Sequence, residues 1–179
     1  MSTNPVTVRR ARPGDADDFA RLMEHPEVYA NLMQLPWPTE AMWRTRIEEM
    51  AQPQRSDLQL VAEREGRVVG SLGLHPPVAL RRRHTAMLGI SVDVTAQGHG
   101  VGRTLMAAAC DFADQWGQIL RIELTVFADN QRAQALYEAF GFRLEGTHRA
   151  FALRHGQYAD VLSMARLHPN PPTVTWPQA

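Results

Sequence analysis

The sequence has a single cysteine and no apolar run long enough to cross a membrane. Because Cys110 is alone, a disulfide within the chain and a zinc site made of several cysteines are excluded. No apolar run approaches the ~18–20 residues of a transmembrane helix, and the first residues lack the apolar stretch of a signal peptide. We therefore expect a cytoplasmic protein without a membrane partner.

An excess of charge of either sign is also missing. Nineteen basic and nineteen acidic residues give a formal net charge of zero, whereas domains that bind nucleic acid usually have a strong basic excess. Of two basic clusters, we interpret residues 9–12 as solvated loop charges. Residues 81–84 either steer an anionic cofactor or end a hairpin. We expect no nucleic-acid partner.

The length and composition of the chain are those of a single domain. The 179 residues and a hydrophobic fraction of 44% are enough for one well-packed core without a metal or disulfide. We place the domain at residues 1–167. Residues 168–179 contain four prolines and are predicted to form an extended tail on the surface or on a partner subunit of a homodimer.

Strand and helix patterns alternate along the chain. Alternating apolar residues predict strands, and apolar residues spaced three and four apart predict helices. Asp15 and Thr39 are predicted to cap helices at their start and Gly141 to end one. The predicted strands are 6–9, 58–62, 67–74, 86–94, 119–127, 142–153 and 158–167, and the predicted helices follow Asp15 and span 27–34, 40–50, 101–116 and 130–140. The order indicates an α/β domain with a mixed sheet.

The turn between the strand at 86–94 and the next helix is the most informative segment. Gly98, Gly100 and Gly102 alternate there, so the backbone can approach a ligand closely. The helix that follows presents unpaired N–H groups and partial positive charge. Together these features predict a binding site for phosphate or pyrophosphate.

Two common phosphate motifs fit this turn poorly. A dinucleotide-binding fingerprint requires G-x-G-x-x-G at the first strand–helix turn, whereas here G-x-G-x-G occurs late in the chain. A P-loop requires Gly-Lys before Ser or Thr, but Gly102 is followed by Arg103 and Thr104.

The turn resembles the pyrophosphate motif of the GNAT superfamily of N-acetyltransferases, Gln/Arg-x-x-Gly-x-Gly/Ala, which Gln97, Gly100 and Gly102 match. A second block, residues 130–142, is similar to the family's Asn-x-x-Ala-x-x-x-Tyr-x-x-x-Gly-Phe run. The resemblance covers roughly residues 6–167. It implies a GNAT fold, with a mostly antiparallel mixed sheet, flanking helices and a splayed central strand pair, and acetyl-CoA as co-substrate without a metal.

Further runs are similar to bacterial L-amino-acid N-acetyltransferases. They lie at residues 26–31, 121–127, 145–147, 152–154, 156–160 and 164–166. The resemblance implies that the acceptor is a small-molecule amine, with hydrophobic L-amino acids such as phenylalanine or methionine favoured.

The family resemblance also assigns roles to individual residues. Tyr137 matches the usual general acid, which protonates the departing thiolate. The alternative interpretation is that Tyr137 is an aromatic residue of the hydrophobic core. Backbone groups of the strand before the glycines are implied to hold the pantetheine arm and the acetyl carbonyl. The residues implied to bind the cofactor are Val92, Val94, Gln97, Gly98, His99, Gly100, Val101, Gly102, Arg103, Asn130 and Tyr137.

The general base is harder to assign. Two positions at which relatives have a glutamate are occupied here by Ala86 and Thr125. Glu123 lies on the same strand face as Thr125, roughly 6–7 Å away, so it is a candidate base acting through water, or else an ion-pair partner. His84 and His99 also titrate in a suitable range.

The acceptor site is predicted between the first helices. An apolar amino acid needs an aromatic or aliphatic pocket with polar groups for its amine and carboxylate. The candidates are Tyr29, Asn31, Gln34, His84 and Tyr158. The alternatives to this function are an acyl-CoA-binding regulatory module without turnover, or acetylation of a protein N-terminus, an antibiotic or a herbicide.

Overall fold

The computed structural model describes residues 5–173, in which the strands and helices follow one another in the predicted order. The strands are β1 Thr7–Arg10, β2 Leu58–Arg64, β3 Arg67–His75, β4 Thr85–Val92, β5 Arg121–Phe127, β6 Arg143–Arg154 and β7 Gln157–Leu167. The helices are α1 Ala16–Glu24, α2 Pro26–Tyr29, α3 Glu40–Met50, α4 Val101–Gln115 and α5 Gln131–Ala139. None of these helices combines the length and the apolar character that crossing a bilayer requires.

All seven strands belong to one sheet, in the order β1-β2-β3-β4-β5-β7-β6. Neighbouring strands are antiparallel except β4 and β5, which are parallel. That parallel pairing covers only three residue pairs, from Thr85 with Arg121 to Met87 with Glu123. Beyond it, β4 and β5 continue without pairing to each other. The predicted fold class, including the splayed central pair, is confirmed.

Two apolar layers cover the two faces of the sheet. On one face, α4 and α5 pack onto a core that includes Leu72, Leu105 and Leu124. On the other face, α1 and α3 pack onto a smaller core around Phe19 and Trp43, whose rings lie 4.8 Å apart. The splayed strands therefore open a gap in the sheet with a helical layer on each side.

Two local predictions about the first helices need correction. The predicted helix 27–34 is only the single turn of α2, and the chain then passes through turns and bends that approach Pro36. Asp15 precedes α1 as predicted but does not cap it. Its carboxylate instead accepts hydrogen bonds from the Arg9 guanidinium and the Arg12 N–H, each at 2.8 Å. By contrast, the Thr39 hydroxyl does cap α3, at 3.2 Å from the Met42 N–H.

The strand before the glycines is also shorter than predicted. β4 ends at Val92, because the Asp93 carboxylate accepts a hydrogen bond from the Thr95 N–H at 2.9 Å and turns the chain into a 3-10 turn, Val94–Ala96. The C-terminal tail begins at His168, whose N–H donates to the Leu120 carbonyl at 2.9 Å. Residues 174–179, half of the predicted tail, lie outside the described residues.

Candidate active site

The gap between β4 and β5 forms a cleft of about 770 Å³, within the range of small-molecule sites. Its walls come from the end of β4, the glycine turn, the start of α4, β5, α5 and the α2 segment. Nine of the residues predicted to bind the cofactor line it: Val92, Gln97, Gly98, Gly100, Val101, Gly102, Arg103, Asn130 and Tyr137.

The glycine turn has the backbone geometry that its sequence predicts. Gly98 and Gly100 have φ angles of +79° and +82°, a region that L side chains rarely adopt. The first backbone bond of α4 joins the Thr104 N–H to the Gly100 carbonyl at 3.0 Å. The N–H groups of residues 101–103 precede that bond and have no acceptor in the helix, so they are available to an anion.

A chain of polar side chains supports this turn. The Gln97 amide donates to the Val92 carbonyl at 3.0 Å and accepts from the Arg132 guanidinium at 2.7 Å. Arg132 lines the cleft beside Gly98 and adds positive charge to the anion site. Sequence analysis missed Arg132, because an arginine in the first turn of an exposed helix has no pattern that separates it from a solvated charge.

Asn130 connects the cofactor side of the cleft to the α2 segment. Its side-chain oxygen caps α5 by accepting from the Ala133 N–H at 3.1 Å. Its side-chain nitrogen donates to the Asn31 side-chain oxygen, also at 3.1 Å. Both asparagines line the cleft, so this hydrogen bond joins two of its walls.

Tyr137 is buried, with 7% of its surface exposed, and lies 5.8 Å from Phe142 between ring centroids. Its hydroxyl has no hydrogen-bond partner among residues 5–173, although it belongs to the lining of the cleft. Burial raises the pKa of Tyr137 to about 12, so the phenol stays protonated at neutral pH. It can donate a proton to a group in the cleft.

Other predicted residues lie outside the cleft. Val94 packs against the α1–α3 core, because the turn at Asp93 directs the chain away from the gap. The exposed His99 ring bonds the Gln97 carbonyl at 2.9 Å. Tyr29, His84 and Tyr158 line neither the cleft nor the second cavity described below, and at the β6–β7 turn it is His155 that lines the cleft.

The Glu123 carboxylate is held in an ion-pair network rather than facing the cleft. It accepts from Arg121 at 2.6 Å and from Arg82 at 2.5 Å. Burial opposes ionisation of Glu123, but these two hydrogen bonds hold its pKa below the ordinary value. A carboxylate paired in this way is a poor proton acceptor, and the structure places it in the ion-pair alternative. It also gives Arg82 a partner other than a cofactor.

A second cavity of about 320 Å³ lies on the α1–α3 face of the sheet. It shares three lining residues with the cleft, Leu32, Ile90 and Ser91, so the two spaces adjoin at the open part of β4. Its apolar walls come from Met23, Leu32, Trp43 and Met50. Its polar lining is Gln34, Arg46, Glu49, Arg55, Asp57, Gln59, Ser71, His75 and Ser91.

Of the predicted acceptor residues, Gln34 lines this second cavity and Asn31 lines the cleft. Sequence analysis missed Arg46, His75 and Ser91. Ser91 had one usable signal, since it is a polar residue within an apolar strand; its hydroxyl lies 3.0 Å from that of Ser71.

The cleft fits a long ligand with a pyrophosphate group. Free N–H groups and the Arg132 guanidinium lie at the glycine turn, and Arg103 also lines the cleft. The gap leads from that turn to the second cavity. Within residues 5–173, no three His, Cys, Asp or Glu side chains are grouped so that they could hold a metal ion.

Comparison with known proteins gives a consistent assignment. Residues 20–142 match the Acetyltransferase (GNAT) family. The chain is 38% identical over 162 residues to the L-amino acid N-acetyltransferase AaaT of Escherichia coli K12, covering 90% of this chain and 98% of that protein.

Solved structures agree with this match. The fold is similar to a ribosomal-protein-alanine N-acetyltransferase from Brucella melitensis, with a TM-score of 0.81 and 26% identity over 90% of this chain and 99% of that one. It is also similar to the yncA acetyltransferase of Salmonella typhimurium with its cofactor acetyl-CoA, with a TM-score of 0.80 and 20% identity over 96% of this chain and 100% of that one. Sequence and fold together show that the chain belongs to the GNAT family of acetyl-CoA-dependent N-acetyltransferases.

Proposed function

We propose that the protein acetylates the α-amine of a hydrophobic L-amino acid, such as phenylalanine or methionine. The observation that carries the proposal is the second cavity, which combines apolar walls with the Arg46 guanidinium. Arg46 lies 5.1 Å above the Trp43 ring and has no carboxylate partner among the described residues. An amino acid has the matching parts, an apolar side chain and a carboxylate for Arg46. The resemblance to an L-amino acid N-acetyltransferase supports the same class of acceptor.

In this proposal the cleft holds the cofactor. The N–H groups from Gly98 to Arg103, together with Arg132, bind the pyrophosphate, and backbone groups near Val92 position the acyl end. Bound acetyl-CoA supplies a thioester carbonyl carbon, which the neutral amine of the acceptor attacks. A backbone N–H directed at that carbonyl oxygen stabilises the developing charge, typically by ~3–4 kcal/mol.

Tyr137 is the general acid of this mechanism. Its hydroxyl is protonated, has no hydrogen-bond partner among residues 5–173 and belongs to the cleft lining, so it can give its proton to the leaving thiolate. Asn130 has a structural role, because it caps α5 and joins that helix to Asn31.

The acceptor is tested by comparing L-phenylalanine with phenethylamine, which lacks only the carboxylate. We expect kcat/KM for phenylalanine to be at least about tenfold higher, because phenethylamine lacks the carboxylate that would make charge-assisted hydrogen bonds with Arg46. Arg46→Gln should remove most of this preference. Arg44→Gln is the matched control, since Arg44 lies on the same helix but pairs with Glu40 and lines neither cavity. Free CoA release measures the rate.

Other acceptors are separate outcomes of this assay. Faster turnover of phenethylamine, of a peptide N-terminus or of a herbicide amine would show that the acceptor is not a free amino acid. No release of CoA with any amine would instead indicate an acyl-CoA-binding module without turnover.

We also propose a cytoplasmic homodimer that associates through the β6–β7 hairpin. β6 is one of the two edge strands of the sheet, and Phe151, Leu153 and Tyr158 of the hairpin expose 50%, 65% and 73% of their surface. An edge strand with exposed apolar side chains favours pairing with another chain. A lone buried thiol, Cys110, fits a reducing compartment.

Leu153→Asp is expected to convert this dimer to a monomer, because it places a charge in the apolar contact. Val78→Asp is the control, since Val78 is 99% exposed and lies far along the chain from the hairpin. Light scattering after gel filtration gives the mass. A parent protein that elutes as a monomer, or a Leu153→Asp variant that stays dimeric, would contradict this interface.

A further inference from the structure

The second cavity contains a histidine–aspartate pair that the mechanism above does not use. The His75 Nδ1 lies 2.7 Å from an Asp57 carboxylate oxygen. Asp57 is 6% exposed and immediately precedes β2, whereas His75 ends β3. The antiparallel pairing of β2 with β3 brings the two together.

The hydrogen bonds around Asp57 fix the tautomer of the His75 ring. Arg55 also donates to the Asp57 carboxylate, at 2.7 Å. Burial opposes ionisation of Asp57, but the bonds from Arg55 and His75 hold its pKa below the ordinary value. An ionised carboxylate only accepts hydrogen bonds, so Nδ1 of His75 is the donor. In the neutral ring, Nε2 then has the free lone pair.

The His75 ring lines the cavity, and its Nε2 has no hydrogen-bond partner among residues 5–173. It lies directly over Gly73, since a Cβ at Gly73 would be 2.3 Å from it. Gly73 is opposite Gly89 on β4, and both glycines line the cavity. The other charged side chains that line the cavity are Arg46 and Glu49 on α3 and Arg55 and Asp57 before β2.

The position of Nε2 suits the transfer of a proton from an acceptor amine. Gly89 is two residues from Ser91, which lines both cavities, and two residues span roughly 7 Å along a strand. A hydrogen bond from Nε2 to the amine nitrogen takes ~3 Å, and the reacting distance from that nitrogen to the carbonyl carbon takes ~3–3.5 Å. Their sum is similar to this separation along the strand. An amine that bonds Nε2 therefore has its nitrogen next to the junction of the two cavities.

We infer that His75, held by Asp57, is the base that takes the proton of the acceptor's ammonium group. This inference rests on the proposed function, because it concerns the same acceptor. Of the two protons that the nitrogen loses overall, the first goes to Nε2 and the second to solvent. The N–C bond forms as the C–S bond breaks, and the sulfur takes the Tyr137 proton. Solvent then returns a proton to Tyr137 and removes the extra proton from His75. Asp57 is a positioning residue, which orients the ring.

The main test compares the pH dependence of kcat/KM in the parent protein and in His75→Gln. We expect the parent rate to depend little on pH while the acceptor is still an ammonium ion, because His75 takes its proton. The variant should be about tenfold slower at pH 7, which is below the 10²–10⁴-fold typical of a general base because water can replace it. Its rate should continue to rise as the acceptor amine deprotonates, so the difference closes at high pH. His148→Gln is the matched control, since His148 is exposed on β6 and lines neither cavity.

Two further variants act on the ring without removing it. Gly73→Ala must displace the imidazole, given the 2.3 Å contact, and Asp57→Asn removes the acceptor that fixes the tautomer. Both should reproduce the His75→Gln profile. Nitrogen-15 spectra of the imidazole in acetyl-CoA-free protein should show the Nδ1–H tautomer, a shift on addition of L-phenylalanine, and loss of that tautomer in Asp57→Asn.

The outcomes separate this inference from the proposed function. A parent-like pH profile in His75→Gln, or a ring that does not respond to L-phenylalanine, would overturn the role of His75 while amino-acid acetylation stands. A parent protein that acetylates no amino acid would overturn the proposed function, and with it the inference.

Discussion

Tyr137→Phe is expected to lower kcat by about 10²-fold or more while acetyl-CoA binding is retained. The variant keeps the ring that packs against Phe142 and removes only the proton that the leaving thiolate takes up. Loss of a general acid typically costs 10²–10⁴-fold. The lower end applies because a thiolate is a fairly stable leaving group.

The stability of the Tyr137→Phe variant is a built-in control for folding. The hydroxyl makes no hydrogen bond within the described residues, so its removal leaves no partner unsatisfied, and the thermal midpoint should be unchanged or slightly higher. Tyr158→Phe removes a hydroxyl that lies outside both cavities and should leave kcat unchanged. Parent-like kcat in Tyr137→Phe would show that Tyr137 is only a core aromatic.

The pH profile gives a second test of the same residue. Because burial raises the pKa of Tyr137 to about 12, the phenol remains protonated below that pH. Loss of its proton then cannot reduce kcat between pH 8 and about 10. A fall of kcat in this range that is absent from Tyr137→Phe would mean that the phenol ionises much earlier.

Gly100→Val is expected to abolish most of the thermal stabilisation by acetyl-CoA. At a concentration 100 times Kd, a ligand adds about 2.7 kcal/mol to the free energy of unfolding, which is several degrees for a chain of this size. Valine is strained at the φ of +82°, and its side chain would enter the space through which the phosphate approaches. The glycine turn would lose the backbone conformation that the sequence permits there, and the phosphate would lose its path to the turn.

The β2–β3 turn provides a matched control for that variant. Gly66 has a φ of +75°, and a Cβ at either Gly66 or Gly100 would meet no atom within 4 Å. Both valine variants should therefore lower the midpoint of the ligand-free protein by a similar amount, about 1–2 kcal/mol of backbone strain. Only Gly100→Val should lose the ligand-induced shift. An undiminished shift in Gly100→Val would remove the glycine turn from the cofactor site.

Features that depend on residues close together in the sequence were predictable from it. The spacing of Gly98, Gly100 and Gly102 sets a local backbone path, and the order of strands and helices follows from periodicity. The same local reasoning made α2 too long, because a helix of four residues followed by a series of turns has apolar spacing similar to that of one longer helix. Asp15 looked like a cap since its partner Arg9 is brought to it only by the path of β1 into the following turn.

The second cavity was not predictable in this way. Its walls come from α1, α3 and three strands. No spacing along the chain indicates that Trp43 and His75 line the same cavity. His75 meets Asp57 only through the pairing of β2 with β3. Conversely, Tyr158 had the right chemistry for an acceptor site, but its place on the hairpin keeps its ring outside both cavities.

The small overlap between the two cavities bears on how this scaffold can diversify. Among residues 5–173, only Leu32, Ile90 and Ser91 border both spaces, and neither the glycine turn nor α4 and α5 border the second one. Substitutions at Trp43 or Met50 can therefore alter the shape of the second cavity, the proposed acceptor site, while the residues proposed to bind phosphate stay unchanged. Under the proposed function, a single change in the α1–α3 layer could give a new acceptor preference while the proposed acetyl-CoA site keeps all its residues.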